Sequence, residues 1–379
     1  MNKEAAYWIA LAHLPRWGHL KINNLIIKFY HENKLSIEDF FQLSENDWKN
    51  QYGLEYKDVE DLKKAKSELA NNAFLAETMH NEGYELIPIT SPEYSKTLKE
   101  NLKASHAPAL LYVKGNKQLM QEKSIAIVGS RNASEKSLEF TDNIAKLASM
   151  EYKVVVSGFA KGVDKQALDS AVNYKGQSII VLPQGIMTFG SGFKNYYKQI
   201  VDGDVLVLST FFPKAPWKAE LAMARNPIIY GLADEIYVAE SSDKGGTWSG
   251  VVDGLRKKRK IYVRKPEPSE NSANNLLIQK GAIAVDFNGN QLIDYTPVLS
   301  DANQLKENET AVDYEKKVLD LLRTGEYAVK DILKKLQLTW SEKKLRDFLN
   351  SQKDVESINK KPRRFTMKDS AIKQKSLFE

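Results

Sequence analysis

Cysteine is absent from all 379 residues. That single absence excludes disulfides, thiolate metal sites and cysteine nucleophiles, and it fits a reducing compartment. The five histidines lack the paired spacing of a metal site, so no metal ligation is expected. No apolar run approaches the ~18 residues of a membrane span. Met1 to Leu14 also lacks the basic-then-apolar layout of a secretory signal. A cytoplasmic protein without a membrane partner is the expectation. Two phosphate-binding patterns are missing as well. G-x-x-x-x-G-K-[ST] does not occur, and no G-x-G-x-x-G follows the first predicted strand. Neither ATP hydrolysis nor dinucleotide binding is favoured, and no cofactor is expected.

What is present is ample material for a core, with 42% hydrophobic residues and room for two or three domains. The formal net charge of +6 is a mild basic excess. A solvated surface carries such an excess without consequence, so the position of the charge matters more than its sum.

Three textures divide the chain. Residues 1–78 are helical in pattern, with Ala5, Ile9 and Ala12 on one face and Leu25, Ile26 and Phe29 on another. The breaker Leu14-Pro15-Arg16-Trp17-Gly18 lies between them. The outline is a helix-hairpin-helix or SAM-like unit, and two readings stay open: a phosphate-binding hairpin or a bundle that binds nothing. Residues 79–299 alternate β-branched runs with helical segments. The runs are Ser124–Val128, Val154–Val156, Ser178–Leu182, Val205–Leu208, Glu235–Val238 and Lys260–Val263. They are continuous rather than alternating, which suits strands buried on both faces of a parallel sheet. Strand, helix, strand at ~30-residue spacing is a βαβ unit, and its repetition predicts an α/β fold with a Rossmann-like, doubly wound parallel sheet. Residues 300–310 are polar and read as a linker. Residues 311–379 predict three helices, marked by Val318, Ile332 and Leu345, then a strand pair through Val355–Ile358 and Arg364–Met367. That is the outline of a winged helix.

Ligands of an open parallel sheet bind beyond the carboxyl ends of its strands. The segments there are Gly129-Ser130-Arg131, Ser157-Gly158-Phe159-Ala160-Lys161-Gly162, Pro183-Gln184-Gly185, Ser209-Thr210 and Glu240 to Thr247. Small residues let a backbone approach a ligand closely, hydroxyls donate, and helix N-termini offer unpaired amides. Turns need Gly and Ser in any case. Convergence of several such loops with Arg131, Lys161 and Lys244 points instead to phosphate groups.

These residues carry a family resemblance. Ile125-Ala126-Ile127-Val128-Gly129-Ser130-Arg131 resembles the opening strand and Gly-Ser-Arg loop of DprA/Smf DNA-processing proteins. Val155 to Asp164 resembles their Ser-Gly-x-Ala-x-Gly-Ile-Asp block, and Ala224 to Leu232 their Arg-Asn-Arg-x-Ile block. Pro108 to Gly115 resembles the entry to the same domain, so the ordered match runs over about 80–285. The resemblance implies a basic pocket for single-stranded DNA, protection of incoming DNA, loading of RecA recombinase and a homodimer. The sequence holds no convincing catalytic constellation, so binding rather than catalysis is the expectation. Departures are plain: Pro227 stands at the second Arg of Arg-Asn-Arg, Leu168 at a usual His, and Lys244-Gly245-Gly246-Thr247-Trp248 at a Ser-Gly-Ser-x-x-Thr loop.

The expected DNA-binding set is therefore Gly129, Ser130, Arg131, Ser157, Gly158, Lys161, Gly162, Arg225, Asn226, Lys244, Gly245, Gly246 and Thr247. Arg131 is expected to fork onto phosphate oxygens. Phe159, Phe193 and Trp248 are candidates for base stacking or for core packing. Asp164 is expected to cap the helix that it starts, and Arg225 has Glu240 as an alternative partner. Lys360-Lys361-Pro362-Arg363-Arg364 is a further basic run. The alternative reading is a nucleotide-binding sensor or defence-associated protein on the same fold. Lys244-Gly245-Gly246-Thr247 resembles the loop of "lonely guy" phosphoribohydrolases, without the Glu that acts on their ribosyl bond.

Overall fold

The computed structural model describes residues 4–268, 270, 272–296, 315, 317–338, 340–352, 354–358 and 362–367. The expected linker at 300–310 lies outside them, as do Lys360 and Lys361. The chain forms two compact units, Met1–Pro297 and Val298–Glu379.

The first unit is a mixed α/β structure around nine strands: β1 (Glu85–Pro88), β2 (Leu110–Gly115), β3 (Ser124–Val128), β4 (Val154–Ser157), β5 (Ser178–Val181), β6 (Val205–Ser209), β7 (Glu235–Val238), β8 (Ile261–Arg264) and β9 (Ile283–Val285). Their order is β1-β2-β6-β5-β4-β3-β7-β8-β9. From β6 to β9 all pairs are parallel. The β-branched runs of the sequence are these strands, and β3 to β6 are buried along their whole length. The pure parallel sheet needs one correction. β1 and β2 add an antiparallel edge, with β2 paired to β6. β1 is short and β2 carries no run of β-branched residues, so neither stands out in the sequence.

Alternate residues of β3 feed opposite cores. Ile125 and Ile127 pack with Phe140, Ile144 and Ala167 of the helices Glu135–Met150 and Val163–Asn173. Ala126 and Val128 face Leu98, Ile228, Ile229 and Val251 of the helices Lys96–His106, Ala219–Leu232 and Gly246–Arg256. Trp8, Phe29, Phe40 and Trp48 of the N-terminal helices join a further cluster with Tyr112, Ile180 and Val207. Asn23 links those helices to the main body, donating at 2.8 Å to the carbonyls of Ala104 and Ala107.

Gly246, Gly250 and Gly254 fall four residues apart on one helix. A Cβ at Gly250 would lie 2.7 Å from the Tyr230 ring, and one at Gly246 would lie 2.6 Å from Asn226 Nδ2. Close approach of two helices therefore depends on the missing side chains. Gly250→Val is expected to destabilise by about 1–3 kcal/mol through overpacking. A urea midpoint equal to that of the native chain would show the contact to be loose.

The second unit has helical residues 317–322, helices Val329–Lys335 and Glu342–Ser351, and a sheet of β10 (Tyr327–Ala328), β11 (Val355–Ile358) and β12 (Arg364–Met367) in the order β10-β12-β11. Both pairs are antiparallel. Val318, Leu322, Ile332, Leu345, Leu349 and Phe365 form its core.

Candidate nucleic-acid interface

The strand order locates the site. From β3 the chain winds outward through β4, β5 and β6, then returns past β3 and winds the other way through β7, β8 and β9. The direction reverses between β3 and β7. At such a switch point the loops leaving the two strands part in opposite directions and open a crevice at their carboxyl ends.

A cavity of about 420 Å³ lies there. The loop after β3 contributes Gly129, Ser130, Arg131 and Asn132 to its wall, and the loop after β7 contributes Ser241, Ser242, Lys244, Gly245, Gly246 and Thr247. The helix Ala219–Leu232 supplies Ala219, Met223, Arg225, Asn226 and Tyr230. The two loops are tied directly. Thr247 Oγ1 donates to the Gly129 carbonyl at 3.1 Å, and the Ser130 amide donates to the Glu240 carbonyl at 3.0 Å. Arg131 and Lys244 are exposed at the mouth.

Behind the second loop sits a buried polar frame. Asn274 accepts from the Ser241 amide at 2.9 Å and donates to the Ala239 and Arg264 carbonyls. Arg264, fully buried, forks onto Glu270 at 2.7 and 2.9 Å and also donates to Ser137 Oγ. Glu240 accepts from the Ser134 amide and from the Ser134 and Ser137 hydroxyls. It thus supplements the Ser134 cap of the helix Glu135–Met150. Nothing in the local sequence links Arg264, Glu270 and Asn274 to the loop, because the contacts of this frame span up to 127 residues.

Arg225 is buried against Asp164. Its Nη1 donates to the Val181 carbonyl at 2.6 Å, and Nη2 stands 3.8 Å from the Asp164 carboxylate. Its partner is Asp164, not Glu240. Nε finds no acceptor among the described residues. Burial raises Asp164 to about 6, against the pull of Arg225, Arg131 and the amides of Gly158 and Ala160. Those amides also correct the expected role of Asp164. The helix Val163–Asn173 begins at Gly162 with no side-chain cap, and Asp164 instead holds the preceding loop. A Cβ at Gly158 would run into the Arg225 guanidinium, so a larger residue there would have to displace it from the Val181 carbonyl.

The expected residues divide into groups. Gly129, Ser130, Arg131, Arg225, Asn226, Lys244, Gly245, Gly246 and Thr247 line the one cavity. Lys161 and Gly162 line a second recess of about 340 Å³, with Lys165, Gln166 and Asp169; Arg131 and Asn132 border both. Ser157 and Gly158 lie outside both linings; Ser157 is buried, and its hydroxyl donates to the Ile127 carbonyl at 2.7 Å. The amides of Gly246, Thr247 and Trp248 precede the first bond of their helix, from Ser249 N to the Gly245 carbonyl, and so have no partner in its ladder. Phe159 and Phe193 pack around Phe189, with ring centroids at 4.9 and 5.4 Å. Asp164, Tyr230 and Met223 also belong to the wall; Asp164 closes the Ser-Gly-x-Ala-x-Gly-Ile-Asp block but is expected there as a helix cap, and no pattern in the sequence marks Tyr230 and Met223.

Comparison with known proteins decides the family. The model of the family described as DNA recombination-mediator protein A matches residues 85–296, more than half of the chain. The chain belongs to the DNA recombination-mediator protein A family. Members similar to it include DNA processing protein DprA of Streptococcus pneumoniae, 30% identical over 192 residues that cover 50% of this chain and 67% of the relative. DNA processing protein DprA of Bacillus subtilis is 28% identical over 215 residues, covering 54% and 69%. The X-ray structure of DprA from Streptococcus pneumoniae superimposes with a TM-score of 0.59 at 23% identity, over 74% of this chain and 93% of that one. The fold is thus the family's. The family match contains both loops of the crevice and the helix with Arg225. Pro227, the departure in that helix, lies in its interior. Pro lacks the amide that a helix ladder uses, so the Met223 carbonyl at the cavity wall has no partner from position 227.

Among the described residues no helix is long and apolar enough to cross a membrane, and no cluster of His, Asp and Glu has the makings of a metal site.

Proposed function

We propose that this chain binds single-stranded DNA, taking the backbone phosphates in the crevice between the β3 and β7 loops. One observation carries the reading: exposed Arg131 and Lys244 flank a cavity whose wall includes the start of a helix, with its first amides left outside the ladder. Guanidinium forks, an ammonium and backbone amides are three kinds of phosphate donor that read no base. The relatives' naming as DNA processing proteins supports the same ligand.

In this reading Arg131 grips a phosphate between the two recesses, and Lys161 and Gly162 meet the next part of the backbone. Gly129 and Ser130 shape the rim, Ser157 and Gly158 support it from the buried interior, and Arg225 and Asn226 act from the cavity wall. The protein protects incoming single strands and passes them to a RecA-type recombinase, works as a homodimer in the cytoplasm, and is a binder rather than an enzyme. Its C-terminal unit is a winged helix, with Arg363 and Arg364 on the wing, and its N-terminal helices are a SAM-like accessory unit.

A mobility-shift titration with a single strand, a duplex and mononucleotides tests this. Preference for the long single strand is the expected result, with affinity falling steeply in salt, by roughly 0.7 in log–log slope per phosphate neutralised. Tight mononucleotide binding without strand binding would replace the reading with a nucleotide sensor.

A further inference from the structure

The loop after β6 is built like the rest of the rim yet presents an aromatic face. The chain has six tryptophans. Trp8, Trp17 and Trp48 are buried and Trp248 and Trp340 half-buried, but Trp217 is 54% exposed. Met223 and Phe212 are exposed beside it in sequence, and Lys214 and Lys218 flank it, also exposed. A tryptophan more than half exposed, with exposed lysines on either side of it in sequence, offers a flat apolar face to a partner that also carries negative charge.

This loop is held stiffly. The turn Phe212–Ala215 closes with the Ala215 amide on the Phe212 carbonyl at 2.8 Å. The Gly185 and Met187 amides donate to the Ala215 and Pro213 carbonyls at 2.9 and 3.0 Å. Ser209 Oγ donates to the Gln184 carbonyl at 2.6 Å, and Phe212 packs edge-on to His13 with centroids 5.4 Å apart. Two prolines, Pro213 and Pro216, restrict it further. Trp217 is thus mounted on a preorganised loop at the carboxyl edge of β5 and β6. Lys218 leads directly into Ala219, which lines the switch-point cavity.

We propose that Trp217 is a base-stacking platform, with Lys214 and Lys218 as its phosphate contacts, for the part of a DNA strand that leaves the cavity. The inference rests on the strand-binding reading and extends its track along the rim past β6. An aromatic ring between cations suits a single strand, whose unpaired bases each offer a stacking face. Duplex bases have none to give at this edge. A stiff loop also loses little freedom on binding, so the stack keeps its full value.

Two oligo-dT probes separate this proposal from its parent. One of about two nucleotides is sized to the cavity of about 420 Å³, and one of about twenty nucleotides reaches the loop as well. Trp217→Ala should weaken the longer probe roughly 5- to 100-fold, leave the shorter one unchanged and leave the salt slope unchanged. Trp217→Phe should retain most of the affinity, and the quench of tryptophan emission by the longer probe should fall in it to the part that Trp248, next to Thr247 of the crevice, supplies. Replacing Lys214 and Lys218 by Ala should flatten the salt slope by roughly 1.4. Native affinity of Trp217→Ala for the longer probe, with Arg131→Ala still defective for both, overturns the stacking role and spares the cavity. Failure of the native chain to bind either probe overturns both.

Discussion

Arg131→Ala is expected to lower affinity for every single strand, whatever its sequence, by roughly 10- to 100-fold, the worth of one charge-assisted pair of hydrogen bonds. Arg131 is a residue that borders both recesses, about 420 and 340 Å³. It also follows the Ser130 amide, which is fixed on the Glu240 carbonyl. The guanidinium is exposed, so its loss leaves no buried cavity and the fold should keep its melting temperature. Its contribution is both charge and shape, and two variants divide them. Arg131→Lys keeps the charge, so the salt slope should hold while affinity falls part of the way. Arg131→Ala should also flatten the slope by roughly 0.7. Filter binding or fluorescence anisotropy at several salt concentrations reads both quantities. Native affinity in Arg131→Ala would remove the crevice mouth from the binding surface.

The range of each signal decides how much of the fold and of the crevice is legible in the sequence. Continuous runs such as Ile125–Val128 and Val205–Leu208 announce buried parallel strands because every residue of the run must be apolar. Glycines and cations after those runs announce the rim, because the carboxyl ends of parallel strands all point one way. Those are local patterns. The antiparallel edge is not legible: Glu85–Pro88 is too short, and its pairing with Val113 to Leu110 is decided by tertiary contact. The partner of Arg225 is hidden for a similar reason. Asp164 lies far off in the chain, and choosing it over Glu240 needs the strand order. Glu240 is already engaged by Ser134 and Ser137. Trp217 escapes a reading of the rim that ends this segment at Ser209-Thr210, whereas the chain stays at that edge as far as Lys218 before entering its helix.

Arg225→Met should give the largest loss of stability, and the loss should depend on pH. The native side chain is buried, donates to the Val181 carbonyl and faces Asp164. Removing one member of a buried ion pair leaves the other charge uncompensated, at a cost of about 3–5 kcal/mol. The sign of the pH effect follows from Asp164. Its carboxyl is raised to about 6 in the fold, above the 3.8 of an unperturbed aspartate. Its proton therefore stabilises the fold fully below about pH 3.8 and not at all well above 6, a span worth about 3 kcal/mol. Without Arg225 the carboxyl titrates still higher, because Arg225 is the strongest influence holding it down. Acid then neutralises the orphaned group. The deficit of Arg225→Met relative to the native chain should thus be greatest at about pH 8 and shrink by about pH 5. Urea midpoints of the two proteins at both pH values measure it, and groups common to both cancel. An equal deficit at the two pH values would mean that Asp164 and Arg225 do not share their charge. The same proton bears on binding. Protonated Asp164 removes the negative charge from the cavity wall, so the native chain should hold a single strand more tightly at about pH 5.5 than at about pH 7.5, and Asp164→Asn should abolish that difference.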